Sequence, residues 1–170
     1  MIMRYSKAYQ DIADRYAREN DYIAASYIGV YNDSLVFEPI YQDSLPRTVG
    51  LPSIIVVNKD GSADEIRDLI SFDILRVTHR RDLVKGRLLF HKYEAMLDAE
   101  DVSETDREYA AMIVKACDYS WNERPIEKNI MYVYLETADR LNMTLEVKRD
   151  EGENYIELTQ RKGSTCFLPH

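Results

Sequence analysis

Three side chains that could bind a metal ion recur at helical spacing in the middle of the chain. His91, Glu94 and Asp98 lie at positions i, i+3 and i+7, and such positions share one face of a helix. One imidazole and two carboxylates on one face could hold a divalent transition metal. A solvated, charged helix face produces the same spacing without a ligand. We therefore expect neither a metal nor another cofactor, and keep this set as the one metal candidate.

Histidine beside carboxylates also suggests acid–base chemistry. His79 or His91 could act with nearby carboxylates in a small hydrolase or nuclease, as a general acid or base or as a metal ligand. However, the sequence lacks the common motifs of nucleotide, zinc-ribbon and dithiol chemistry, namely G-x-G-x-x-G, G-x-x-x-x-G-K-[ST] and C-x-x-C. The sequence thus favours a protein without catalytic activity, and an enzyme of an unfamiliar family is the alternative.

The two cysteines do not indicate a disulfide framework. Cys117 and Cys166 are 49 positions apart, and small disulfide-stabilised domains carry more cysteines than this. Cys117 falls on the apolar side of a predicted helix, where a thiol packs as a small hydrophobic side chain. Cys166 lies close to the C-terminus, where we expect it to be exposed.

Basic side chains dominate residues 76–92, where Asp82 is the only acid. We call this segment the basic stripe. Arginine and lysine bind the phosphates of nucleic acids, so nucleic-acid binding is a second alternative function. The side chains that would carry it are Arg76, Arg80, Arg81, Lys85 and Arg87.

An acidic stripe follows directly, over residues 94–108. It holds seven acids and one base, a net charge of −6 in fifteen residues. Mutual neutralisation with the basic stripe across adjacent helices is one interpretation. The other is that these acids bind a basic surface on a partner protein. The candidates for that contact are Glu94, Asp98, Glu100, Asp101 and Glu104.

Tyrosine is unusually frequent near the N-terminus. The chain has 13 Tyr against 4 Phe and 1 Trp, and seven of the tyrosines fall within residues 1–41. A phenol ring has an apolar body and a polar tip, which suits half-buried positions and protein interfaces. Either these rings cover one side of a sheet or they contact a partner. For the second case the candidates are Tyr5 and Tyr9, with Trp121 as a single aromatic anchor.

Length and composition point to one folded domain. The chain has 170 residues, of which 45% are hydrophobic and 31% charged, so it can bury a core without a metal or a disulfide. Its net charge of −8 opposes non-specific adhesion to nucleic acids and anionic membranes. Because no apolar run has the length of a signal peptide or a membrane span, we expect a cytoplasmic protein with no membrane partner.

Hydrophobic periodicity predicts an α+β protein. A small antiparallel or mixed sheet, built from N-terminal strands and a C-terminal hairpin, packs with four to five helices. The predicted order is α-β-β-β-α-α-α-α-β-β, in a single domain over residues 1–160 with a tail over 161–170. The predicted helices begin near residues 3, 62, 83, 103 and 125, and the predicted N-terminal strands cover 27–31, 35–40 and 53–58.

Local patterns sharpen three of these predictions. In the first helix, Asp14 and Arg18 have the i, i+4 spacing of a solvated ion pair. Ser62 and Glu65 have the spacing of a capping box, which predicts a helix start at that point. Pro39 cannot donate a hydrogen bond to a neighbouring strand, so its strand is predicted to lie at an edge of the sheet or to be shortened.

The C-terminal hairpin has a predicted register. Pairing Leu145 with Leu158 and Val147 with Ile156 leaves Glu151-Gly152 as a two-residue loop, which suits a turn with positive φ angles. The same register sets one pair of glutamates opposite each other, which is mildly unfavourable.

Taken together, these features favour a non-catalytic, acidic, cytoplasmic protein that works by binding another protein. It would be an inhibitor, an immunity or anti-defence factor, or an adaptor. Its carboxylates would occupy a basic surface of the partner. The hydrolase or nuclease and the nucleic-acid-binding protein remain the two alternatives.

Overall fold

The computed structural model of the protein describes residues 3–45, 50–78 and 83–161. Within these ranges the helices are α1 (Lys7–Glu19), α2 (Ile70–Thr78), α3 (Val84–Asp98), α4 (Glu104–Ala116) and α5 (Lys128–Leu141). The strands are β1 (Ala24–Tyr31), β2 (Ser34–Ile40), β3 (Ile54–Val57), β4 (Ala63–Ile66), β5 (Met143–Asp150) and β6 (Glu153–Gln160). Strands β1 to β4 form one antiparallel sheet, and β5 and β6 form a separate hairpin. The predicted α+β class is confirmed.

The chain divides into two compact units. The first unit contains α1, the four-stranded sheet and α2. The second contains α3, α4, α5, the hairpin and the short segment Asp43–Leu45. The single domain over residues 1–160 stays a prediction, and residues 162–170 of the predicted tail lie outside the described residues.

The core of the first unit lies between α1 and the sheet. α1 begins after Ser6, whose Oγ accepts a hydrogen bond from the Tyr9 amide at 3.4 Å, so the helix starts later than predicted. Ala13 and Ala17 are fully buried and pack in one cluster with Phe37 of β2. Small side chains on the inner face of α1 let the helix approach the sheet closely.

Helix α1 also covers the free edge of β1. Gln10 Nε2 donates to the Ala25 carbonyl at 2.8 Å, and Asp14 Oδ1 accepts from the Ala25 amide at 2.9 Å. Because β1 is the outer strand of the sheet, these two side chains take the place of a neighbouring strand at Ala25. The prediction that Asp14 lies on a solvated face is wrong, since the residue is buried.

Strand β4 replaces the predicted start of a helix near Ser62. In the structure Ser62 Oγ donates to Asp60 Oδ1 at 2.6 Å and the Asn58 amide donates to the Ser62 carbonyl at 2.9 Å. These bonds close a turn that returns the chain antiparallel to β3. The helix begins later, where Asp68 Oδ1 accepts from the Ile70 amide at 2.8 Å. The capping-box interpretation is therefore wrong, because the Ser62 hydroxyl is used by the turn.

Pro39 lies on an interior strand, so of the two alternatives predicted for that strand the edge position is wrong. The strand order is β1-β2-β3-β4, and β2 has a neighbour on each side. However, β3 pairs only with Leu35 to Phe37 of β2, whereas Pro39 lies opposite Ala25 of β1. The Ala25 carbonyl accepts from Gln10 Nε2 and its amide donates to Asp14, so the missing N–H of proline leaves no backbone acceptor of Ala25 unpaired.

In the second unit, helix α3 and the hairpin strands β5 and β6 pack against α5. Residues 131–135 of α5 are all buried, as expected for a helix covered on several sides. Helix α3 approaches α5 closely at Gly86, where an added Cβ would collide with the carbonyl group of Tyr132. Gly86 therefore has a packing role.

The C-terminal hairpin has the predicted register. Leu145 pairs with Leu158, and Glu151 and Gly152 form the two-residue loop with φ angles of 47° and 81°. Glu146 lies opposite Glu157, as predicted. Lys148 relieves this like-charge pair, since its Nζ lies 3.7 Å from Glu146 Oε2 and 3.2 Å from Glu157 Oε1.

None of the helices within the described ranges combines the length and the apolar character needed to cross a membrane.

Candidate functional site

The second unit contains an open groove of about 700 Å³ between α3, the end of α4 and the loop that leads into α5. We call it the α3–α4 groove. It is lined by Phe90, Glu94, Val114, Cys117, Asp118, Tyr119, Pro125, Ile126, Glu127, Lys128 and Asn129. Its volume lies within the range of sites that hold a ligand or a side chain of a partner.

The floor of the groove is apolar. Phe90, Cys117 and Ile126 are buried, and the Phe90 ring packs edge-to-face against Tyr132 with centroids 5.6 Å apart. Burial raises the pKa of the Cys117 thiol to about 11, so at neutral pH the thiol is protonated and is a poor nucleophile. Cys117 thus packs as predicted, and the floor offers hydrophobic contact rather than nucleophilic chemistry.

The rim of the groove carries an excess of negative charge. Glu94, Asp118 and Glu127 face a single base, Lys128, among the lining residues. Hydrogen bonds from the Ser120 amide and hydroxyl, each 2.8 Å, lower the pKa of Asp118. Its carboxylate is therefore charged at neutral pH, and the rim attracts a cationic group.

Two aromatic side chains stand in solvent beside the groove. Tyr119 is 82% exposed and Trp121 is 63% exposed, in the loop that follows α4. The Trp121 amide donates to the Asp118 carbonyl at 3.2 Å, and Asn122 Nδ2 donates to the Lys115 carbonyl at 2.7 Å. Lys115 Nζ lies 4.3 Å from the centre of the Trp121 ring. We call residues 118–122 the aromatic loop.

The chain just after this loop is tied to the C-terminal hairpin. Arg124 forms an ion pair with Glu153, and Asn154 Nδ2 donates to the Arg124 carbonyl at 3.3 Å. The exposed rings therefore project from a backbone that is held at both ends.

One of the five predicted acids lies in the groove. Glu94 forms part of the wall, and its Oε1 lies 2.7 Å from His91 Nδ1. The remaining predicted acids are exposed along the connection from α3 to α4: Asp98, Glu100, Asp101 and Glu104.

The metal candidate is not assembled into a binding group. Among the residues that the structure describes, no three or more His, Cys, Asp or Glu side chains are placed to hold a metal ion. His91 and Glu94 pair with each other on the helix surface, and Asp98 stays exposed near the end of α3. His79, the other histidine of the hydrolase alternative, lies outside the described residues.

The basic stripe is divided between the two units. Arg76 is in α2 of the first unit, and its Nη2 lies 3.3 Å from Asp73 Oδ1. Lys85 and Arg87 are in α3 of the second unit. Lys85 Nζ lies 2.8 Å from Asp139 of α5, so its partner is not in the acidic stripe. Arg80 and Arg81 lie outside the described residues.

The N-terminal tyrosines largely cover the sheet of the first unit. Tyr9 is partly buried against the core under α1. Tyr5 is about half exposed, but its ring lies 4.6 Å from that of Tyr27, and its hydroxyl donates to Gln10 at 2.9 Å. These two candidates therefore have packing roles, and they are not among the lining residues of the groove.

A polar network in the first unit was not anticipated from the sequence. The Tyr22 hydroxyl donates to Glu65 Oε1 at 2.7 Å, Arg67 Nε donates to Ser53 Oγ at 2.7 Å, and Arg67 Nη2 donates to the Tyr22 hydroxyl at 3.0 Å. Burial raises the pKa of Tyr22, so its phenol is neutral. The four residues come from three separate segments of the chain, and no motif connects them. The network connects the segment just before β1 to the start of β3 and the end of β4.

Comparison with family models, with curated proteins and with solved structures gives no match for this chain.

Proposed function

We propose that this protein is an acidic, non-catalytic cytoplasmic protein that binds another protein through the α3–α4 groove and the aromatic loop. The observation that carries the proposal is the exposure of Tyr119 and Trp121 beside an apolar floor with an acidic rim. The roles considered for such a protein are those of an inhibitor, an immunity or anti-defence factor, or an adaptor.

Exposed aromatic rings are well suited to contact a partner. Tyrosine and tryptophan bury large areas at interfaces and are enriched among the residues that dominate binding energy. The aromatic loop is also held by its own hydrogen bonds to the Asp118 and Lys115 carbonyls. A loop that is ordered before binding loses little conformational entropy when the partner arrives.

The charge of the groove favours a basic partner. Lysine and arginine have apolar stems and charged ends. The stem of such a side chain would lie on the apolar floor, and its cation would reach Glu94 or Asp118 at the rim. The exposed acids Asp98, Glu100, Asp101 and Glu104 add negative charge to the second unit, which would attract a basic protein to it.

The test is affinity capture from the source cell with quantitative mass spectrometry, comparing the wild-type chain with a Tyr119→Ala/Trp121→Ala variant. Leu51→Ala serves as the matched control, since it trims an exposed apolar side chain elsewhere. We expect a partner rich in basic residues, retained by the control and reduced at least about tenfold by the double variant. Equal recovery with the double variant, or no partner with the wild-type chain, would contradict the proposal.

A further inference from the structure

Helix α2 of the first unit presents an apolar face to solvent. It packs inward by a narrow stripe, in which Ser71, Ile74 and Thr78 are buried. On the outward side, Phe72 is 53% exposed and Val77 is 60% exposed. Leu69, one residue before the helix, is 75% exposed. Exposed apolar side chains that cluster on one short helix mark an interaction surface.

The outward face has a symmetric chemical pattern. Residues 72–77 read Phe-Asp-Ile-Leu-Arg-Val. An apolar residue lies at each end of this segment, a charged residue lies next to each of them, and the two charges have opposite signs. The two charges are Asp73 and Arg76, whose side chains are 63% and 79% exposed. A pattern of this kind is self-complementary under a two-fold rotation.

We propose that a second copy of this chain docks on this face, through antiparallel pairing of two α2 helices about a two-fold axis between Ile74 and Leu75. In that arrangement a residue of one copy lies opposite the residue of the second copy for which the two residue numbers sum to 149. Phe72 meets Val77 of the second copy, and Asp73 meets Arg76 of the second copy, twice in each dimer.

The charges favour a second copy over an unrelated apolar surface. Within one chain, Arg76 Nη2 already lies 3.3 Å from Asp73 Oδ1, and the pair is exposed enough to be shared across the two-fold axis. An isolated surface ion pair contributes little. Four alternating charges flanked by apolar rings on both sides are better shielded from water, and their attraction is correspondingly stronger.

The size of the face sets the expected strength of the dimer. α2 has nine residues, which is about 13 Å of helix. Such a contact falls at the low end of protein interfaces, where association is transient. Self-association should therefore be reversible and dependent on concentration.

The test is sedimentation equilibrium of the full chain over a range of concentrations, with the charges altered in turn. Asp73→Arg and Arg76→Asp should each be monomeric, because like charges then face each other. The double variant Asp73→Arg/Arg76→Asp should regain the wild-type dimerisation. An equimolar mixture of the two single variants should form a heterodimer, since each now supplies the charge that the other lacks.

Two further variants serve as controls. One distinguishes loss of dimerisation from loss of folding, and the other tests whether the α3–α4 groove takes part in dimerisation. Phe72→Ala removes apolar contact without altering charge and should weaken dimerisation at least fivefold, with an unchanged circular dichroism spectrum. Tyr119→Ala/Trp121→Ala should dimerise like the wild-type chain. A wild-type chain that stays monomeric at all concentrations would overturn the inference. So would single charge variants that dimerise normally, or a mixture that forms no heterodimer.

Discussion

Asp14 is a buried polar residue that links α1 to β1 in the first unit. Its carboxylate accepts hydrogen bonds from the Ala25 amide and from Gln10 Nε2, at 2.9 and 3.0 Å. Spacing alone placed this side chain in an exposed pair with Arg18. The i, i+4 rule identifies which residues share a helix face, but which face the sheet covers depends on packing that the rule does not contain.

Asp14→Ala should lower the free energy of unfolding by about 2 kcal/mol, because it leaves the buried Ala25 amide without an acceptor. Asp11→Ala is the matched control on the same helix. Asp11 is exposed and lies 3.3 Å from Lys7 Nζ, and an exposed pair of this kind contributes less than about 1 kcal/mol. Urea denaturation followed by circular dichroism measures both values. Equal losses in the two variants would contradict the role assigned to Asp14.

Stability should decrease at alkaline pH, because burial raises the pKa of several groups above their ordinary values. For Cys117 the pKa rises from 9.0 to about 11, and the pKa values of Tyr27 and Tyr109 also rise, mainly through burial. A raised pKa means that the folded state holds the proton more tightly than the unfolded state. For Cys117 the resulting stability is complete below pH 9 and is lost as the pH rises toward 11.

We expect a free energy of unfolding that is little changed by this group between pH 7 and 8.5 and declines above pH 9, by about 2 kcal/mol for Cys117 alone. The measurement is urea denaturation at a series of pH values. Cys117→Ala should show a shallower alkaline decline, since the thiol then no longer contributes. An identical pH profile for this variant would show that the thiol is not the group responsible.

The secondary-structure elements that agree best with the sequence predictions are those whose local sequence allows one conformation. The C-terminal hairpin follows from its two-residue loop, because Glu151-Gly152 admits positive φ angles and alternation then fixes which residues pair. Strand β4 was missed, since the Ser62 hydroxyl can serve either a turn or a helix cap. Only its bond to Asp60 shows which one it serves.

A substitution at Gly86 tests how closely α3 and α5 must pack. Gly86→Ala would improve helix propensity by about 1 kcal/mol in an exposed helix. Here the new Cβ meets the Tyr132 backbone, and we expect a net loss of about 2–3 kcal/mol. Val84→Ala, at an exposed site in the same helix, should change stability by less than about 0.5 kcal/mol. Chemical denaturation distinguishes them, and a Gly86→Ala variant as stable as the wild-type chain would show that the helices can separate at no cost.

At the scale of the whole molecule, charge can be predicted from the sequence, whereas the arrangement of the elements cannot. The net charge of −8 and the acidic stripe are visible in the residues themselves, as is the candidacy of Glu94 and Trp121. The division into two compact units and the groove could not be foreseen. A cavity arises from how α3, α4 and the loop after them pack together, which the local periodicity of any one segment does not specify.

The most direct measurement of the central claim is site-specific photo-crosslinking in the source cell, with a photoreactive phenylalanine analogue in place of Tyr119. Arg15, an exposed residue of α1, is the control position. A discrete crosslinked product that joins position 119 to one basic protein, and is absent at position 15, is the expected result. No product at position 119, or the same products at both positions, would contradict a partner-binding groove in the second unit.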